Sequence, residues 1–365
     1  MNITGKARLA AVAIVGALAL AACGSDSGSG SSSSASGSAN VNCVSGSIKA
    51  SGSTAQKNAM LEWINAYQTA CSGATIDYQA NGSGAGIKDF INKQTAFAGS
   101  DSPLKDQDKT DADARCATGP AIDIPMVGGA IVLAYNLSGV TKLILTPDLI
   151  AGIFNNTITM WNDPKITAVN PGVTLPSTTI AAFHRSDSSG TSDNFTKYLG
   201  TTSASIWTYP HAKDWPAAIK GGQGAKGSDG VASAVKSTPN SIGYMELSFA
   251  QDAKLPTSWV DNGGGPVEAT SQNAASTIAS ATVTGTGNDL ALKIDYTTKT
   301  GYPIVLVTYE ITCEKGLDSS LVPLTKSFLT YTSGDEAQGK LVSLGYVNIS
   351  GDLLTKVRTA VSSIS

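Results

Sequence analysis

The sequence predicts an α/β protein of two lobes built on a largely parallel sheet, and three observations carry this. Apolar runs of strand length alternate with segments of helical period from residue 47 onward. About 320 residues follow a low-complexity N-terminal stretch, enough for two domains of ordinary size. The most strand-like run, residues 303–311, comes late, so the C-terminal part can return to complete the first lobe.

Residues 1–22 read as a targeting segment. Lys6 and Arg8 form a short basic region, and the apolar or glycine run from Leu9 to Ala22 is too short to span a bilayer but suits a secretory signal. It ends in Leu20-Ala21-Ala22-Cys23-Gly24, which resembles a bacterial lipobox and marks Cys23 as the acylated lipid attachment point. Residues 24–40 are almost entirely Ser, Gly and Ala, with Asp26 the only charge. Such a stretch buries too little apolar surface to offset its ordering entropy, so a flexible tether of roughly 20–25 Å is expected. No later segment approaches 18 consecutive apolar residues.

Loss of residues 1–22 removes Lys6 and Arg8 and no acid, leaving 23 basic and 28 acidic residues and a net charge of −5. That balance argues against nucleic acid or an anionic membrane surface as partner. Cys43, Cys71, Cys116 and Cys313 remain, an even number in an exported chain, with three connectivities open. Cys43 precedes the first strand and Cys71 ends the helix after it, which favours Cys43–Cys71 with Cys116–Cys313. There is no metal-ligand spacing and there are only two histidines, so no cofactor is expected.

The elements follow in order. Residues 47–50 form a strand, and 55–70 a helix with Ala59, Met60, Trp63, Ile64 and Tyr67 on one face. A strand at 75–79, a helix at 85–93 (Ile87, Phe90, Ile91) and a strand at 95–98 come next. Residues 122–136 read as two extended stretches around Gly128-Gly129, where the chain can pass from one lobe to the other. Residues 147–154 are helical with Pro147 in the first turn. A strand at 179–183 feeds a helix carrying Phe195, Tyr198 and Leu199. The stretch 217–229 is rich in Gly and Lys, 231–236 reads as helix and 242–245 as strand. Residues 261–290 read as a variable surface region, and 321–329 and 333–344 as late helices.

Three strand–turn–helix junctions share one design: Ser51-Gly52-Ser53-Thr54-Ala55, Asn81-Gly82-Ser83-Gly84-Ala85-Gly86 and Ser188-Ser189-Gly190-Thr191. Each offers unpaired N–H groups, the positive end of a helix dipole and a hydroxyl donor, the usual means of holding a small oxyanion. Taken singly, each is also an ordinary helix cap. In an open α/β sheet all three would lie at the carboxyl ends of strands, where ligands bind. Arg185 adds a planar fork for two oxygens of a tetrahedral anion, and Asp187 can hold that fork in place. Asp101 ends the third strand and brings a carboxylate to the same place. It accepts a hydrogen bond from an anion that still carries a proton and repels one that does not, which favours phosphate over sulfate.

Further motifs lie in the same order: Phe97-Ala-Gly-Ser-Asp-Ser-Pro-Leu104, Val127-Gly-Gly-Ala130, Leu149-Ile-Ala-Gly-Ile-Phe154, Trp161-Asn-Asp-Pro164, Gly227-Ser-Asp-Gly230 and Ile242-Gly-Tyr-Met-Glu246. Together with the three junctions and the turn from Arg185 to Thr191, they resemble the phosphate-binding proteins of bacterial Pst-type ABC transporters, from about residue 47 to the C-terminus. The resemblance implies a type II periplasmic-binding-protein fold, two α/β lobes with the ligand cleft between them. It implies lobe 1 over 43–128 and 302–365 and lobe 2 over 129–301, after a signal peptide (1–22) and tether (23–42). It further implies phosphate contacts from Thr54, the Ala55 N–H, Ser83, Asp101, Arg185, Ser189, the Gly190 N–H and Thr191, with Asp187 behind Arg185. The implied partners are inorganic phosphate and the permease subunits of a transporter with a cytoplasmic ATPase. The protein would act as a monomer, lipid-anchored on the outer face of the cytoplasmic membrane. Ala55 departs from the family, which often has Phe there, and residues 261–290 match poorly.

Enzyme readings are weaker. Ser83, His184 and Asp101 could make a hydrolase triad, but His184 abuts Arg185 in a strand and should face the other way. Gly222-Gln-Gly224-Ala-Lys-Gly227 fits a dinucleotide-loop pattern without a strand before it and reads as surface loop. A secreted phosphomonoesterase using the same anion cradle stands as the alternative function. Sulfate, molybdate or arsenate stand as alternative anions.

Overall fold

The computed structural model describes residues 41–365; the signal segment, Cys23 and all but the last two residues of the tether lie outside the described residues. The chain begins with β1 (Gly46–Gly52), α1 (Lys57–Ala70), β2 (Ala74–Gln79), α2 (Ser83–Ile91), β3 (Phe97–Ser100), α3 (Asp106–Arg115) and β4 (Ala121–Asn136). It continues through β5 (Ile144–Leu145), α4 (Pro147–Phe154), α5 (Pro164–Val169), β6 (Ala181–Arg185), α6 (Gly190–Thr202), β7 (Gln223–Ala225), α7 (Gly227–Ser237), β8 (Ser241–Glu246) and α8 (Leu247–Ala253). Then come β9 (Trp259–Asp261), β10 (Pro266–Val267), α9 (Ser271–Ala279), β11 (Thr282–Val283) and β12 (Leu292–Lys293). The chain ends with β13 (Val305–Cys313), α10 (Val322–Thr332), α11 (Asp335–Lys340), β14 (Val347–Asn348) and α12 (Gly351–Ser363).

The main sheet runs β2-β1-β3-β13-β4-β8-β6-β7, with β14 added on β4. Its first half is β2, β1, β3 and β13; its second half is β8, β6 and β7. β4 belongs to both: residues 121–130 pair with β13 and residues 131–136 with β8. Within each half the strands that carry the Gly/Ser turns are parallel, as β1 is to β2 and β3, and β6 to β7 and β8. The sheet is mixed, however, because β13 runs antiparallel to both β3 and β4, and β4 antiparallel to β8.

Residues 122–136 are therefore one strand where two stretches were expected. Gly128-Gly129 does not interrupt it but makes room on it. A Cβ at Gly128 would lie 2.6 Å from Ile278 Cδ1, and one at Gly129 3.1 Å from Glu246 Cγ. The region 261–290 is also more ordered than its composition suggested. α9 packs Ala274 and Ile278 inward on β4, β13 and β14, and Leu290 donates its N–H to the Asp123 carbonyl.

Burial follows the sequence pattern. α1 turns Ala59, Met60, Trp63, Ile64 and Tyr67 inward, the face its period predicts. All nine residues of β13 are buried, as for a strand covered on both faces. Residues 333–344 form α11 followed by a 3₁₀ turn rather than one helix. Two disulfides, Cys43–Cys71 and Cys116–Cys313, tie the first half together, the second across 197 residues of sequence. No helix among the described residues is long and apolar enough to cross a membrane.

Candidate anion-binding site

Four helix N-termini, not three, converge between the two halves of the sheet. The α2 turn meets the α6 turn through Gly84 N–H, which donates to the Ser188 carbonyl at 3.0 Å. The α7 turn meets the α1 turn through Ser228 N–H, which donates to Thr54 Oγ1 at 3.1 Å. Gly227 N–H donates to Asp187 Oδ1 at 3.0 Å, joining α7 to the β6 turn. The glycines permit this approach: a Cβ on Gly84 would fall 2.2 Å from Ser188 Oγ, and one on Gly190 2.7 Å from both Ser83 Oγ and Asp101 Cβ.

The structure buries every sequence-predicted site residue: Thr54, Ala55, Ser83, Asp101, Arg185, Ser189, Gly190 and Thr191. The backbone N–H groups of Thr54, Ser83, Gly190 and Thr191 have no protein acceptor among the described residues. Those of Ser83, Gly190 and Thr191 are first-turn donors that helix geometry leaves unpaired, and that of Thr54 lies in the turn before α1. The Ala55 N–H differs, donating to Ser53 Oγ at 3.0 Å. That serine-closed turn also delays α1, which starts at Lys57 rather than directly after Thr54. Ser189 caps α6, its Oγ accepting from Ser192 N–H at 3.3 Å. The Ser83 hydroxyl accepts from Asp101 N–H at 3.2 Å.

Arg185 is 1% exposed and is held flat by Asp187, with Nε and Nη2 donating to the two carboxylate oxygens at 2.8 and 2.5 Å. Its Nη1 donates to Thr191 Oγ1 at 3.4 Å, and Thr191 donates in turn to Asp101 Oδ2 at 3.1 Å. Burial raises the Asp187 carboxyl, but the bond and charge of Arg185 outweigh this and hold it below the ordinary carboxylate range. Asp101 goes the other way. Burial pushes its carboxyl up, against the pull of Ser53, Thr308, Arg185 and Thr191.

Several contributors lie outside the sequence-predicted set. Ser53 and Thr308 both donate to Asp101 Oδ1. Asn194 Nδ2 donates to the Asp101 carbonyl at 2.7 Å, and Tyr244 Oη accepts Arg185 N–H at 3.0 Å. Ser228 was discoverable, since Gly227-Ser228 opens a helix after β7 and repeats the design of the other junctions. The loop reading of residues 222–227 hid it: Gln223–Ala225 is a strand on β6, too short to show a period. Thr308 carried no local signal, because only the return of β13 beside β3 brings it to Asp101.

The triad arrangement does not form. His184 stacks on Trp215 at 4.6 Å between ring centroids and donates Nδ1–H to the Arg185 carbonyl, while Ser83 faces Asp101 N–H. Among the described residues no group of three or more acidic, His or Cys side chains could hold a metal ion.

Residues 37–336 match the family model described as PBP superfamily domain. The chain is 44% identical over 325 residues, 87% of either chain, to a protein of Mycobacterium tuberculosis named phosphate-binding protein PstS 3. In structure it is similar to a high affinity periplasmic phosphate-binding protein, PfluDING, solved bound with phosphate. That match has a TM-score of 0.70 at 21% identity and covers 86% of this chain and 93% of the other. It is also similar to a phosphate binding protein of Stenotrophomonas maltophilia, with a TM-score of 0.68 at 19% identity over 86% and 94% of the two chains.

Proposed function

Because this chain belongs to the PstS family of phosphate-binding proteins, within the PBP superfamily, we propose that it captures inorganic phosphate outside the cytoplasm and delivers it to an ABC permease. The observation that carries the reading is the meeting of four helix N-termini with a buried Arg185 and a buried Asp101. The N–H groups of Thr54, Ser83, Gly190 and Thr191, the hydroxyls of Thr54, Ser83 and Ser189, and the Arg185 fork supply donors to a tetrahedral anion, while the Thr191 hydroxyl donates to Asp101. Asp101 supplies the one acceptor and takes the hydrogen bond from a protonated phosphate oxygen. Sulfate has no proton to give and would set two negative oxygens face to face in a buried site. The Ala55 N–H, engaged by Ser53, contributes through the turn it closes.

The same reading assigns residues 43–128 and 302–365 to one lobe and 129–301 to the other, with the crossing strands as hinge. α9, within the second stretch, packs on β4, β13 and β14 and buttresses that hinge. Cys23 anchors the protein by lipid, the tether spaces it from the membrane, and ATP hydrolysis belongs to the transporter. The protein itself turns nothing over. A p-nitrophenyl phosphate assay should show no hydrolysis, and metal-dependent turnover would revive the phosphomonoesterase.

Calorimetry with phosphate and sulfate near pH 6 and 8 tests the central claim: phosphate binds at both, sulfate at neither. Asp101→Asn exchanges an acceptor for a donor, so the phosphate:sulfate affinity ratio should fall by about tenfold or more. Wild-type protein that binds the two anions equally would overturn the role given to Asp101.

A further inference from the structure

Asp101 is 2% exposed and acts through its two oxygens separately. Oδ1 accepts two hydroxyls, Ser53 from the β1–α1 turn and Thr308 from β13, the latter at 2.9 Å. Oδ2 accepts only Thr191, which also takes a hydrogen bond from Arg185 and so belongs to the anion-facing side. We propose that Thr308 is a specificity-determining residue: with Ser53 it occupies Oδ1, keeps Asp101 an ionised acceptor and leaves Oδ2 alone turned toward the anion. This rests on the phosphate reading above and extends it to a strand some 200 residues away in sequence from Asp101.

The physical case turns on what surrounds the carboxyl. Arg185 from β6 favours its ionised form, but that guanidinium is already paired with Asp187. The other titratable groups facing it are Glu310 from β13, Glu246 at the end of β8 and Tyr78 from β2, and none supplies positive charge. Burial without a cation of its own drives a carboxyl toward its neutral form. A protonated Asp101 would donate, and a donor at this position accepts sulfate as readily as phosphate. Two hydroxyls on Oδ1 oppose that outcome, because hydrogen bonds to the charged form favour it.

Thr308 is also fixed in place. It is fully buried on β13, whose register with β3 sets Tyr309 opposite Ser100 and Glu310 opposite Gly99. The hydroxyl there reaches Asp101, the residue that follows β3. Thr308 does not touch the anion in this account; it positions and charges the residue that does.

The test is Thr308→Val, nearly isosteric and lacking the hydroxyl, titrated with phosphate and with sulfate across about pH 5 to 9. The phosphate:sulfate ratio should fall about three- to tenfold, the effect of one hydrogen bond to a charged group shared with a second donor. The acid limb of the phosphate profile should move to higher pH, because Asp101 now protonates more easily. Thr308→Ser should restore both. In an Asp101→Asn background Thr308→Val should leave the ratio unchanged. Ser53→Ala serves as an independent arm if the β13 variant folds poorly. If wild-type protein binds no phosphate, the functional reading fails. If it binds phosphate and rejects sulfate but neither variant alters ratio or profile, the assignment of Thr308 is wrong and Asp101 acts unaided.

Discussion

On the β1–β3–β13 side of the site, a carboxylate is buried with hydroxyl donors and no cation of its own. On the β6–β7–β8 side, a guanidinium is buried with a dedicated carboxylate, a Tyr244 hydroxyl on its backbone N–H and the α7 N-terminus behind. The second wall is electrically self-contained: Arg185 and Asp187 neutralise each other, and the fork keeps Nη1 for the site. The first wall stays under strain, with Asp101 pushed above its ordinary pKa and its ionised form depending on Ser53 and Thr308. In the proposed phosphate site, the Arg185 wall would supply attraction that any tetrahedral anion feels and the Asp101 wall the test that only a protonated anion passes, so affinity and discrimination should be separable by mutation.

The largest effect should come from the attracting wall. Arg185→Ala leaves Asp187 buried without its cation and deprives the anion of its one guanidinium. Phosphate affinity should fall by about 2–5 kcal/mol, the range for removing one member of a desolvated charge pair. Calorimetry at fixed ionic strength measures it. A loss below about 1 kcal/mol would place Arg185 at a solvated rim.

A second test separates the charge of the first wall from its hydroxyls. Glu310 is fully buried two residues beyond Thr308, both carboxyl oxygens lack a hydrogen-bond partner, and burial lifts its pKa to about 8. It is therefore neutral near pH 7, which spares Asp101 a like-charged neighbour. The sign of the stability effect follows from this raised value. The folded state holds a proton that the unfolded chain has already lost, so the contribution is complete below the unfolded carboxyl pKa. It disappears as pH rises through about 8. Glu310→Gln should remove up to about 1.4 kcal/mol per pH unit of the destabilisation that accrues between the unfolded carboxyl pKa and about 8. Denaturant unfolding near pH 5, 7 and 9 reads this out, and wild-type and variant curves that run parallel would show that Glu310 is not the titrating group.

The contrast between the walls also explains what could be read from the sequence. The Arg185–Thr191 turn and the two early Gly/Ser turns were legible because helix N-termini have local signatures, Gly for close approach and Ser or Thr for caps. Asp187 was legible because it sits two residues from its partner. Ser53 was in view within its motif, but its role was not: the side chain had to be placed before it could be aimed at Asp101. Thr308 and the buried Glu310 were out of reach, being brought in by antiparallel pairing across the sheet. The late strand at 303–311 was visible as a strand, and its neighbours were not. The α3 segment, Asp-rich with only Ala112 and Arg115 buried, lacks the apolar period that would have announced it.

The smallest effect should come from Asp187, and its smallness is informative. Asp187→Asn removes a bond that orients Arg185 and also removes the negative charge that offsets it. The first change weakens anion binding, while the second leaves the site more positive and strengthens attraction at long range. The two oppose each other, so phosphate affinity should stay within about threefold of wild type, because each contribution is worth only about 1 kcal/mol once the other is subtracted. The compensation should appear in the kinetics: association becomes faster and more salt-sensitive, and dissociation also becomes faster. Stopped-flow binding at low and high ionic strength separates these. A tenfold loss of affinity with association unchanged would mean that orientation outweighs charge. The second wall would then be as dependent on one hydrogen-bonded partner as Asp101 is on Ser53 and Thr308.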